Sequence, residues 1–397
     1  MRVSANPIYI DILSVMFFLC MYLMPLAQPL HYRFSEDILN TLDKDTSSYK
    51  YLQAAWDLAN IGDYENVLKV WDMQNLPPGV LLVADSERFL QLKAVSALDY
   101  IISRAKREQI IIINEAHHQP NHRVFAESLL DSLYSIGYRY FGAETLNPRD
   151  SLLNARKYPI MNTGYYSVQP QFANLIRTAL KDSFHVFAYE ASTLANGKER
   201  EIEQAQNIKA VLDKDSGAKM IIYCGFDHLI KSDVPDWGKA MAGRLRDFTG
   251  INPFTIDQVR LTERGSLQND NPFYKMVNLN YYAVFVDSSG SPFNGPKGLN
   301  QYDVRVYHPR TSWINGRPNW VFESKRLPFF VDGQLKIPFP CLIFAYNENE
   351  DRAIAIPADV IELKNENEKI ALSLVHGNYT IVIKNKAGQE QIIKATL

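Results

Sequence analysis

The chain has 397 residues, with 42 Lys+Arg against 44 Asp+Glu and a formal charge of −2. A hydrophobic share of 46% and a charged share of 22% exclude long disorder and leave room for roughly two or three domains with cores. Near-neutral charge with no basic block lacks the footprint of a nucleic-acid binder, and three cysteines cannot build a disulfide framework.

At the start of the chain, Arg2 precedes the apolar run Ile12–Leu26, which ends at Ala27 before the polar stretch His31–Glu36. A charged start, about 15 apolar residues and a small closing residue form the pattern of an export signal. The run is shorter than the roughly 20 residues of a bilayer span. Residues 1–27 are therefore expected to be a signal peptide cut near Ala27. The mature protein would be exported (periplasmic, envelope-associated or secreted) and have no membrane span. If Cys20 leaves with the signal, Cys224 and Cys341 remain, free or paired with each other.

Residues 28–107 read as a helical lead-in, and Tyr51–Trp71 carries the apolar spacing of two short helices joined at Gly62-Asp63. The pattern then changes. The fully apolar, β-branched run Ile110–Ile113 marks a buried strand. Helices are expected over Asn121–Ser135, Pro170–Lys181, Lys198–Leu212 and Val234–Phe248. They alternate with strands over Tyr138–Ala143, Val186–Tyr189, Met220–Cys224 and Phe254–Val259. Such alternation predicts an α/β core over 108–265, a mostly parallel sheet with flanking helices. From 266 to 397 short strand-like runs between Gly, Pro, Asn and Asp turns predict a β-rich C-terminal region, a small antiparallel sandwich partly wrapped on the first sheet.

Ligands of open parallel sheets sit outside the carboxyl ends of the strands. After the first core strand come Glu115, His117, His118 and His122, and after the second comes Glu144. The third strand ends at Glu190, and the fourth at Asp227 and His228. Each has an ordinary explanation alone: a helix-capping carboxylate, an exposed histidine pair, a core histidine. Together they place four of the eight histidines, and several carboxylates, at one sheet edge. Carboxylates held close need a cation, a shared proton or a ligand. There is no G-x-S-x-G elbow, phosphate-binding glycine loop, H-E-x-x-H helix or close cysteine pair. What remains suits water activation by a His or Glu base, directly or through a divalent metal, or a haem pocket with His or Tyr ligation. Tyr165 and Tyr166, in the loop leaving the second strand, are candidate ligand-binding residues. A further cluster of Arg and aromatic residues runs from Tyr302 to Trp320, either a binding surface or the core of a small β-domain.

The run Asn114–His122 resembles the G-E-x-H-x-x-P-x-H opening of the ChaN-like haem-binding uptake proteins. These are grouped with the erythromycin esterases and the Tiki/TraB proteins. Tyr140–Glu144 resembles the family's second strand and its glutamate, Arg200–Ile208 the helix before the last motif, and Gly225–His228 its closing G-x-x-H. The resemblance spans Gln109 to Val259, with Asn114 where the family usually has Gly. His117 fits the ChaN-like spacing and His118 the erythromycin-esterase one. The resemblance implies three chemistries, each belonging to some members: water activation by histidine and glutamates, a metal held by paired histidines, or bound haem. The first expectation is a water-activating hydrolase, esterase- or metalloprotease-like, acting on a small molecule or a peptide. In it His117 or His118 is base or metal ligand, Glu115 and Glu144 orient it or share the metal, and His228 completes the far side; Glu190 and Asp227 are second choices. A metal (zinc, manganese or cobalt) would take His117, Glu144 and His228. Tyr165, Tyr166 and His122 are the expected ligand-binding residues, for a substrate or for haem, and the alternative to a hydrolase is a non-catalytic haem- or metal-binding envelope protein. A third expectation is an interaction module acting through the β-rich tail.

Overall fold

The computed structural model describes residues 32–397, apart from residue 80 and residues 193–196, 235–236, 298–300 and 332. The expected signal peptide lies outside the described residues. Among those described, no helix is long and apolar enough to cross a membrane.

Three helices open the fold: α1 (Ser35–Lys44), α2 (Lys50–Asn60) and α3 (Tyr64–Asp72), followed by α4 (Val83–Leu90). Asp63 ends the junction at Gly62 by accepting the Asn66 N–H, which caps α3. Gly62 itself sits at φ +73°, and a Cβ there would press on the carbonyl of Val360 and the guanidinium of Arg317. The core then runs β1 (Lys93–Ser96), α5 (Ala97–Ala105), β2 (Ile110–Glu115), α6 (Asn121–Ser135), β3 (Tyr140–Ala143), α7 (Pro170–Lys181) and β4 (His185–Ala188). It continues through α8 (Lys198–Lys214), β5 (Met220–Gly225), α9 (Met241–Thr249), β6 (Phe254–Leu261), β7 (Ala283–Val286) and β8 (Val304–Tyr307).

These eight strands form one sheet in the order β1-β7-β8-β6-β2-β5-β3-β4. The run from β8 to β4 is parallel, and β7 pairs antiparallel with both β1 and β8. β2 shows why the sheet is covered on both faces. Ile111 and Ile113 pack with α5, α6 and α7, whereas Ile110 and Ile112 pack with α8 and α9. All four are essentially inaccessible, as the two-residue period of a strand between two helical layers requires.

The tail carries β9 (Leu327–Phe329), β10 (Cys341–Asn347), β11 (Asp359–Leu363), β12 (Leu372–Leu374), β13 (Asn378–Asn385) and β14 (Glu390–Thr396). β11-β10-β13-β14 form an antiparallel sheet, and β9 pairs with β12. One face of the four-stranded sheet shares a core with α1–α3, through Leu342, Phe344, Val360 and Val382 against Ile38, Leu58 and Trp71.

Four expectations need correction. The helical stretch before residue 107 contains β1, an edge strand too short to carry a period of its own. A boundary at 265/266 would cut the main sheet, because β7 and β8 belong to it. The helix expected from Val234 begins at Met241, since Gly238 at φ +70° turns a small hairpin, Asp233-Val234 against Gly238-Lys239. The four-stranded tail sheet packs chiefly on the lead-in helices, whose apolar stripes need cover. Cys224 and Cys341 are both free and buried, so they are not paired with each other.

Candidate functional site

The site follows from the strand order. β5 lies between β2 and β3, with Glu115 in register with Gly225 and Glu144 donating its N–H to the carbonyl of Tyr223. Side chains leaving the ends of β2 and β3 therefore meet across Gly225. Thr145, two residues past the β3 end, at φ +63° and Phe226, directly after β5, at φ +37° adopt a backbone that side chains disfavour. Such strain persists only where the surroundings over-determine it. Asn114 is one such restraint. Its amide donates to the Phe226 carbonyl (2.8 Å) and to Asp257 (3.0 Å), and its oxygen accepts the Gln258 N–H (2.8 Å).

Glu115 is buried and fully engaged. Arg123 clamps it with two hydrogen bonds (2.6 and 2.7 Å), the Tyr223 hydroxyl donates to it (2.9 Å), and His117 Nδ1 lies 2.8 Å from Oε1. Burial alone would raise this carboxyl, but the Arg123 charge and the Arg123 and His117 hydrogen bonds outweigh it and hold it well below the usual range. An ionised carboxylate only accepts, so His117 Nδ1 carries a hydrogen toward Glu115. Tyr166 stacks on the imidazole at 3.8 Å and fixes its plane. Of the two adjacent histidines, His117 is thus the oriented one. His118 stacks on Trp71 at 3.6 Å, and burial depresses its ability to take a proton.

Across Gly225 stands Glu144. Its Oε2 accepts the Gly225 N–H, and its Oε1 accepts from Arg200 (2.7 Å). Arg200 also bonds both oxygens of Glu190 (2.7 and 2.9 Å) and lies 3.1 Å from His228 Nε2. Burial would raise Glu144, but His228, His117 and Arg200 lower it. For His228 the balance has the other sign: burial opposes charging, yet Glu144 and Glu201 outweigh it and raise the imidazole above its usual value of 6.5. The native state then favours the charged form. Its contribution to stability is complete below about pH 6.5 and is lost as pH rises through the raised value. The melting temperature of the native chain minus that of His228→Gln should therefore be larger near about pH 5.5 than near about pH 9. A difference that does not change with pH would contradict this.

A Cβ on Gly225 would overlap the His117 ring at Cε1 and Nε2 and stand 3.0 Å from Glu144 Oε2. Gly225→Ala is expected to fold but to swing His117 out of line, so that any turnover depending on His117 falls roughly 100-fold or more, within the range for a lost proton-transfer group. Turnover within about threefold of the native chain would show that His117 tolerates the displacement.

His117 opens onto a cavity of about 540 Å³ lined by Trp56, Asp57, Tyr165, Tyr166, Arg123 and Gln169, among others. That volume lies within the range of small-molecule sites. Its outer wall comes from α2, where Trp56 meets Tyr165 and Tyr166 edge-on at 5.8 and 5.1 Å. Tyr165 is exposed at the rim.

Glu115, His117, Glu144, Glu190, His228, Tyr165 and Tyr166 thus converge on the edge or the cavity. Three others do not, and these are corrections: the first is His118, which packs on Trp71 and is not among the residues lining the cavity. Asp227 turns to Arg260 (3.2 Å) and the Tyr302 hydroxyl (3.3 Å). His122 is wholly inaccessible; its Nδ1 accepts the Ala116 N–H (3.0 Å) and its ring packs on His308, so it clamps the loop and cannot reach a ligand in the cavity. In the tail cluster, Tyr302, Tyr307 and Trp320 are buried, while Trp313 is exposed and outside the cavity wall.

The candidate metal set also fails to form a ligand set. The guanidinium of Arg200 already occupies the focus of Glu144, Glu190 and His228, and a divalent cation there would face its positive charge at contact distance. Among the described residues no group of three or more His, Cys, Asp or Glu side chains is placed to hold a metal. For haem, Tyr166 lies flat on His117, so the two cannot present themselves to one iron from opposite sides.

Arg123, Arg200, Glu201, Tyr223 and Trp56 complete the site and carry no signal as isolated residues in the sequence. Arg123 had one faint mark, a charge inside an otherwise buried stretch of α6.

No family model matches the chain, and no curated protein matches it. Among solved structures, it is similar to the type III effector HopBA1 at 10% identity and a TM-score of 0.35, covering 55% of this chain and 96% of that one. A structure described as bacterial protein toxins gives 15% identity and 0.32, covering 55% and 46%. RRSP, a MARTX toxin effector domain from Vibrio vulnificus CMCP6, gives 14% and 0.32, covering 55% and 45%. The chain spans less than half the length of the last two.

Proposed function

We propose that the chain is an exported hydrolase that activates water with His117, without a metal, and that it belongs with the ChaN-like, erythromycin-esterase and Tiki-like proteins it resembles. One observation carries the reading. The ionised, clamped Glu115 accepts the Nδ1–H of His117 (2.8 Å), which makes Nε2 the nitrogen that exchanges a proton, and His117 lines a small-molecule cavity. In this reading His117 Nε2 removes a proton from water as its oxygen bonds to the carbonyl carbon of an ester or amide. Arg200, fixed by Glu144 and Glu190, is the positive group that this reading assigns to the charge developing on the carbonyl oxygen. The aromatic wall of Trp56, Tyr165 and Tyr166 binds the acyl group and excludes water.

The test is a panel of nitrophenyl esters of short, branched and aromatic acids, given to the chain from Gln28 onward with and without a chelator. Saturable hydrolysis that ignores the chelator supports the reading. Activity lost on chelation and restored by zinc would replace it with a metal mechanism. No turnover above that of heat-denatured protein, across esters and amides, would remove it.

A further inference from the structure

The edge holds a second carboxylate–imidazole pair that the reading above leaves unused. Glu201 is buried, 1% exposed, although α8 is otherwise largely polar. Its Oε1 lies 2.7 Å from His228 Nδ1, and its Oε2 accepts the N–H of Met241 (2.6 Å), the first residue of α9. The helix N-terminus thus clamps Glu201 much as Arg123 and Tyr223 clamp Glu115. Trp237 stacks on His228 at 5.2 Å with the planes 14° apart, as Tyr166 does on His117. Held from both sides, His228 aims Nε2 inward, 3.6 Å from Glu144 Oε1 and 3.1 Å from Arg200. Each imidazole thus has its Nδ1 beside a buried carboxylate, Glu115 at 2.8 Å and Glu201 at 2.7 Å.

We propose that Glu201 is a positioning residue for His228, and that through this pair the leaving group of the hydrolysed bond receives its proton. The inference rests on the hydrolase reading and assigns its second half. In the first half, His117 takes one proton from water, the new C–O bond forms and the carbonyl π pair moves onto oxygen. In the second, that pair re-forms the carbonyl, the bond to the leaving oxygen breaks with its electrons on that oxygen, and His228 Nε2–H supplies the proton. The products are an acid and an alcohol. The acid releases its proton, and the proton on His117 returns to His228 through solvent, so the enzyme is unchanged. Glu201 stays beside Nδ1 as its counter-charge, 2.7 Å away, which leaves Nε2 as the atom that gains and loses the proton. The charged groups facing His228 are Glu144 from the end of β3, and Arg200 and Glu201 from α8.

The experiment compares two esters of one acid. Ethyl butyrate leaves as an alkoxide that needs a proton; nitrophenyl butyrate leaves as a stable phenolate that does not. Glu201→Gln, and separately His228→Gln, should lower kcat on the ethyl ester about 100-fold more than on the nitrophenyl ester. Both should also lose the high-pH limb of the ethyl-ester profile, and Glu201→Asp should restore part of each. His117→Ala should lower both esters alike. Equal losses on the two esters in Glu201→Gln and His228→Gln, or no loss in either, would overturn the assignment while leaving the His117 reading intact. A native chain inert on both esters would instead remove the hydrolase reading and this proposal with it. If Glu201→Gln fails to fold, the same ratio in His228→Gln decides.

Discussion

His117→Ala is expected to lower kcat on any ester the chain turns over by about 10²–10⁴-fold, the usual contribution of a positioned proton-transfer group. The fold should survive the change. His117 hangs from the loop after β2, and Glu115 keeps both Arg123 and Tyr223 as partners when the imidazole is gone. Some packing against Tyr166 and Phe226 is lost. Thermal unfolding of the variant should therefore remain a single transition near that of the native chain. Turnover within tenfold of native would reject His117 as the base. A collapse of the fold would mean that the imidazole serves structure.

Glu115→Gln should behave in the opposite way and unfold far more easily. Arg123 is 1% exposed, and its charge is balanced by Glu115 alone at hydrogen-bond distance; its other partners are the Gln169 side chain and the His117 carbonyl. Removing one member of a buried pair typically costs about 3–5 kcal/mol, because the remaining charge is uncompensated. The neutral amide also stops holding the His117 tautomer, so activity should fall with stability. The double variant Glu115→Gln/Arg123→Met should recover most of the stability and none of the activity, since replacing a buried pair by apolar groups is often close to neutral. Urea unfolding of the three proteins checks this. A single variant within about 1 kcal/mol of native would show that the pair is worth no more than a surface bridge.

Acid should act on the same pair. The native Glu115 carboxyl is held well below its usual range, so its contribution is complete above the unfolded value of about 4.3. It is lost only as pH falls toward the depressed native value.

The local elements that read best from the sequence carry their own boundary signals. Pro170 opens α7 at a position where a missing N–H costs nothing, and Gly137 at φ +100° closes the turn after α6. Four consecutive isoleucines could only be a strand buried on both faces. β7 shows as an apolar run, but β1 and its partnership with β7 do not. Each strand has four residues, and they pair with each other across a long stretch of chain at the far side of the sheet, a partnership that no local period encodes. The same holds for the cavity wall. Nothing in Lys50–Asn60 announces that its Trp56 will lie over the carboxyl edge, 6.0 Å from His117.

From the sequence alone came the parallel core and the edge where its chemistry collects, because strand and helix periods are local and the carboxyl ends of parallel strands share one side of the sheet. It also supplied Glu115, His117, Glu144 and His228 as members of one group. The tertiary structure alone decided which of two neighbouring histidines is oriented, since a loop's side chains take their direction from what packs on them: Glu115 and Tyr166 for His117, Trp71 for His118. It alone turned His122 and Asp227 away. It also brought the cation Arg200 to Glu144, 56 positions away in the chain, and closed Arg123 onto Glu115. Such pairings are set by strand order and helix docking, which depend on contacts remote in sequence.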